Sequence, residues 1–201
     1  MTTQSQLMIG EEAMATHLIL RVVAFAETLR IIPQTDLPGG NLEMFDDAVR
    51  GLARLGVAQH INRTSGRDRS GQQMARVATA VLSAIEDSPI PQAEWGPLSE
   101  LLGDELPALL GISTSSLTRY RSGERTTPDA VAARLHVLAQ LVSDLAGSYN
   151  DFGIRRWFGR PRQALGGRAP NDILSGDWAP DDADVARVRA LAESLLGAAV
   201  G

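Results

Sequence analysis

Apolar residues recur every three or four positions along almost the whole of this 201-residue chain, and no stretch alternates at the two-residue period of a half-buried strand. That pattern predicts an all-α fold. Leu18, Val22, Phe25 and Leu29 mark a first amphipathic helix, which Pro33 should end because the residue before a proline is pushed out of helical geometry. Pro38-Gly39-Gly40 reads as a loop. Leu42, Phe45, Val49, Leu52 and Leu55 mark a second helix, and Met74, Val77, Val81 and Ile85 a third. Between these two, Asn62 to Gly71 reads as a polar loop carrying Arg63, Arg67 and Arg69. Pro89, Pro91 and Pro97 then suggest a stiff linker, including Trp95-Gly96-Pro97, and place the main boundary near residue 90.

Composition narrows the function classes. With 44% hydrophobic and 21% charged residues the chain is of globular type. The absence of cysteine removes disulfide scaffolds, thiolate catalysis and Cys-containing zinc sites. A net charge of −5 excludes a globally basic nucleic-acid coat but leaves room for a local basic face. Aromatic residues, at 4%, are too sparse for a single-strand stacking platform. No stretch approaches the roughly 18 uninterrupted apolar residues of a membrane helix, so no membrane partner and a cytoplasmic location are expected. With no lysine there is no phosphate loop of the Gly-x-x-x-x-Gly-Lys type. His17, His60 and His136 are scattered and read as structural or solvated. Asp46-Asp47 and Asp181-Asp182-Asp184 read as helix starts or solvated faces. We therefore expect no enzyme, no metal, no cofactor and no small-molecule substrate.

The most specific local signal is Glu105 to Arg125. Leu106, Leu109 and Leu110 suit a buried short helix, Gly111 a tight bend, and Ile112 and Leu117 the angle between two crossing helices. Ser113 is a suitable cap for a second helix from Thr114 to Arg121. In a helix-turn-helix the start of the second helix meets base edges. Ser113, Thr114, Ser115 and Ser116 are short and allow close approach to a groove. Thr118 and Arg119 are the better base readers, since arginine can pair bidentately with guanine. Arg121, Arg125 and Arg134 are placed for phosphates. Pro128 opens a long helix with Val131, Leu135, Leu138, Val142 and Leu145 on one side, and Gly147 stops it. Beyond it come a short helix from Ile154 to Phe158, an arginine- and glycine-rich loop, a turn that Asn171 can cap, and a last helix from Asp181 or Asp182 to Gly197. Between Phe152 and Pro170 lie five arginines and no acid, a local positive patch in an acidic chain.

Residues 98 to 200 resemble the Xre/MbcA/ParS family of type II antitoxins. The first part of the likeness is the Xre-like run Leu110-Gly111-Ile112-Ser113 to Arg125, leading into Ala132-Ala133-Arg134-Leu135. The second is Arg156-Trp157-Phe158 with Pro161, Leu165 to Pro170, Ile173-Leu174 and Gly176, which is similar to the family's toxin-binding domain. The resemblance implies a helix-turn-helix DNA-binding domain over 91–148 and a toxin-binding domain over 149–201; residues 1–90 read as a helical N-terminal domain of unknown role, a dimerisation module or else a sensor or second partner site. It implies a RES-domain, NAD-degrading toxin as partner, sterically blocked by the C-terminal region, and repression of the operon through double-stranded operator DNA, bound as a homodimer. Trp157, Arg160, Arg162, Gly166, Gly167, Arg168, Pro170, Leu195 and Val200 are the candidate toxin contacts; Trp157 reads also as core packing with Leu165 and Leu174, Gly166 and Gly167 as a tight turn, and Arg160, Arg162 and Arg168 as contacts because nothing nearby in the sequence pairs them. Residues 1–90 have no counterpart in that pattern, and Ala169 stands where a hydroxyl residue is common. The alternative is a stand-alone transcriptional regulator that uses the C-terminal domain for dimerisation or another partner.

Overall fold

The computed structural model describes residues 2–34, 42–61 and 70–198, with side chains described from 12 to 195. The loop at Pro38-Gly39-Gly40, Arg63, Arg67, Arg69 and Val200 lie outside the described residues. The fold is all-helical, and among the described residues there is no strand. None of these helices is long and apolar enough to cross a membrane. The chain divides into two compact units, Met1–Ser88 and Pro89–Gly201.

In the first unit α1 (Thr2–Thr28) packs against α2 (Leu42–Arg54) and α3 (Gly71–Glu86). Val22, Ala26, Phe45, Leu52, Ala78 and Val81 are wholly buried at its centre. Helix α1 ends before Pro33 takes effect. Arg30 adopts a left-handed φ of 56°. Its N–H donates to Glu27 O while that of Ile31 reaches back to Ala26 O, so the last carbonyls close on themselves. Gly51 lets α2 approach this end: a Cβ there would lie 2.2 Å from Ile31 Cγ2. Ser70 and Gln73 form a reciprocal capping box that starts α3.

The second unit opens with a correction. The proline-rich segment lies outside the helices only from Asp87 to Ile90, where the two units divide; Pro91 to Pro97 belongs to a helix, α4 (Pro91–Leu102). Pro91 sits in the first turn, where a missing N–H costs nothing. Pro97 lies inside the helix, while Trp95, Leu98 and Leu102 face the core at helical spacing. A 3-10 turn (Gly103–Glu105) leads to α5 (Leu106–Leu110), then α6 (Thr114–Arg121) and α7 (Asp129–Ala146). Helix α7 buries more than the one stripe expected: Val137, Ala139 and Leu141 are inside along with Leu135, Leu138 and Leu145. It is the central helix of the unit, packed by α4 and by α10 (Ala183–Ala198). Between them lie α8 (Asp151–Phe158), a 3-10 turn (Gln163–Leu165) and α9 (Pro170–Ile173). The cap of α9 is not Asn171. Asp172 accepts from the Ala169 N–H at 2.9 Å. Gly197 does not stop α10, which continues through Ala198.

A polar chain crosses this second core. Arg189 of α10 donates to Gln140 Oε1 at 3.1 Å. That turns the Gln140 amide nitrogen toward His136 Nε2, 3.0 Å away, so Nε2 accepts and the ring carries its hydrogen on Nδ1. Nδ1 donates in turn to Glu94 Oε1 at 2.5 Å, which also accepts from the Ile90 N–H. Glu94 is wholly buried and His136 nearly so.

Candidate nucleic-acid interface

Helices α5 and α6 are joined by Gly111-Ile112-Ser113. Gly111 holds a left-handed φ of 66°, and a Cβ there would lie 2.2 Å from the Gly176 carbonyl oxygen. Both the φ and the space therefore demand glycine. Ser113 caps α6 as its residue type predicts: its Oγ accepts from the Ser116 N–H at 3.1 Å and lies 3.0 Å from the hydroxyls of Ser115 and Ser116.

Helix α6 has one buried and one open face. Leu117 and Tyr120 point inward. Tyr120 stacks on Trp95, whose indole donates to Thr127, and Arg125 lies over the other ring system at 5.7 Å from the Tyr120 centroid. Ser115, Thr118, Arg119 and Ser122 follow at i, i+3, i+4 and i+7, all exposed. Thr118 donates its hydroxyl hydrogen to Thr114 O, which leaves the oxygen free to accept. Arg119 and Arg121 are exposed, and their guanidiniums have no partner among the described residues. The arrangement presents a short row of hydroxyls followed by two unpaired guanidiniums, a surface suited to acceptor-rich base edges and phosphates.

Arg134 is a correction. Its guanidinium is not an outward cation. Nε donates to Trp178 O at 2.7 Å and Nη1 to Leu110 O at 3.1 Å. It pairs with Asp177 and lies 5.9 Å from the Trp178 ring centroid. The residue ties α7 to the end of α5 and to the segment before α10.

The residues assigned to a toxin divide the same way. Trp157 is buried, edge-on to Phe158, and Pro170 is buried as well. Neither presents a surface to a partner. Arg168, unpaired as far as local sequence shows, is matched across sixteen positions by Asp184. Arg162 is half-buried over the Trp157 ring at 5.5 Å. Gly166 and Gly167 are exposed, both left-handed, at a tight turn closed by the Gly167 N–H on Arg162 O. Arg160 is exposed, and its side chain has no partner among the described residues. Leu195 is half-buried and its carbonyl accepts from Ser148.

Sequence reasoning passed over Trp178 and Glu94. Trp178 is one of only three tryptophans, a rarity that marks it as an anchor candidate. Glu94 lay in the segment taken for a linker, although its spacing from Ile90 and Leu98 is helical. Among the described residues no cluster of three metal-ligating side chains occurs. Arg168, Asp172, Asp182 and Asp184 line a shallow cavity of about 330 Å³ at the start of α10. No family model matches the chain, and neither a curated protein nor a solved structure does.

Proposed function

We propose that the chain binds double-stranded DNA through α6 and acts as the antitoxin of a type II toxin–antitoxin pair, blocking a RES-domain toxin and repressing its own operon as a dimer. The observation that supports the DNA half is the outward face of α6, where Thr118 and Arg119 stand one turn beyond a row of exposed hydroxyls, with Arg121 beside them. The toxin half rests on the resemblance of residues 156–176. Arg160 and the Gly166-Gly167 turn are its remaining exposed contact candidates.

One observation favours the second reading, a stand-alone regulator. Trp157, Pro170, Arg162 and Arg168 are all engaged within the unit, as expected of a C-terminal region that completes the DNA-binding fold.

A gel-shift titration against the DNA upstream of the protein's own gene tests the first half. Arg119→Ala should weaken operator binding by roughly tenfold or more, the loss of one bidentate base pair contact, with a smaller effect on random duplex. Equal affinity of wild type and variant for the operator removes Arg119 from base readout. For the toxin half, the intact protein purified from its host should bring a partner that degrades NAD once separated. Purification alone, with operator binding retained, would leave the regulator.

A further inference from the structure

The last turn of α5 has its carbonyls satisfied from an unusual source. Pro107 O accepts from Ile112 N, and Ala108 O from Gly111 N, both local. The other donors come from far along the chain. Gly176 N donates to Ala108 O at 3.3 Å, Trp178 Nε1 to Leu109 O at 2.8 Å and Arg134 Nη1 to Leu110 O at 3.1 Å. A helix of five residues is too short to hold itself, and its terminal carbonyls need partners. Residues 174–178, which carry two of these donors, also block any side chain at Gly111 through the Gly176 carbonyl.

We propose that residues 174–178, held by Arg134, form a strap that sets the angle between α5 and α6, with Trp178 and Arg134 as positioning residues for whatever α6 binds. The proposal rests on the DNA-binding reading for its consequence but not for its geometry. Neither residue faces the outer side of α6. Trp178 is buried, and the Arg134 side chain is 12% exposed. Their loss acts on recognition through the pose of Ser115, Thr118 and Arg119, and the C-terminal region thereby controls the affinity of the N-terminal half of its own unit.

Trp178→Phe in the full chain keeps the ring in place and deletes the donor to Leu109 O. Amide exchange over residues 106–118 should rise about fivefold, the usual worth of one such hydrogen bond, with α7 unchanged. Operator affinity, measured well below the unfolding midpoint, should fall with no change in its salt dependence, because no phosphate contact is removed. Val188→Ala, a deletion in the buried face of α10, serves as the control: it should lower the melting temperature and leave operator affinity alone. If Trp178→Phe does not fold, Arg134→Lys, which keeps the charge and loses the fork, gives the same pair of readouts. Unchanged exchange over 106–118 overturns the strap. Raised exchange with unchanged operator affinity reduces it to a structural tie. Failure of the wild type to bind duplex DNA sinks the DNA-binding reading instead, and the exchange result still decides whether the strap holds α5 to α6.

Discussion

In the N-terminal unit the buried side chains described on α1, α2 and α3 are apolar, whereas the C-terminal unit also buries Glu94, His136, Ser143 and Asp144. The contrast teaches what each interior specifies. Apolar packing rewards volume and tolerates rearrangement. A buried hydrogen-bond chain rewards one geometry only, since each group left without its partner bears the full cost of lost hydration. Glu94, His136, Gln140 and Arg189 thus fix the register of α4, α7 and α10, on whose frame α5 and α6 are mounted.

Three measurements would break or sharpen this comparison. Phe45→Ala, which empties the centre of the first unit, should cost about 4 kcal/mol. It should leave amide protection in α7 untouched, and a matching loss in α7 would join the two interiors into one. Glu94→Ala should destabilise the second unit by about 2 kcal/mol in denaturant titrations, because the buried Nδ1–H of His136 loses its acceptor. The double replacement Glu94→Leu with His136→Met should recover most of that loss. If it does so with operator binding intact, the polar chain adds nothing to specificity. Asp184→Asn should have the smallest effect. The Arg168 guanidinium first, and that of Arg187 second, hold the Asp184 carboxyl below its ordinary value. Its contribution is therefore present above the ordinary carboxylate value of roughly 4 and is lost as pH falls through the lowered one. Wild type and variant should differ slightly in melting temperature at neutral pH and converge in acid. A difference that persists at the lowest pH would assign the effect to packing.

Much of the second unit was legible in the sequence because its signals are local. Gly111, Ser113, Pro128 and Gly147 each mark a helix boundary by their own backbone or capping chemistry, and the structure puts boundaries there. Where the reading failed, a distant partner decided the matter. Pro91 to Pro97 looked like a breaker because propensity was weighed without the core that Trp95 and Leu98 fill. Arg134 and Arg168 looked like free cations because Asp177 and Asp184 lie 43 and 16 positions away. Trp157, which the sequence reads as a core or an interface anchor, is buried edge-on to Phe158. In the first unit the apolar stripes located α2 and α3 closely, but the start of α1 at Thr2 had no such signal.

The bond from Trp178 to Leu109 spans 69 positions. A ribosome adding roughly 5–20 residues per second needs roughly 3–14 seconds to make the chain between them. During that interval α5 exists without the indole donor to its Leu109 carbonyl. A nascent or prematurely ended chain that stops short of residue 178 carries the sequence of α5 and α6 but lacks the indole donor that closes the end of α5.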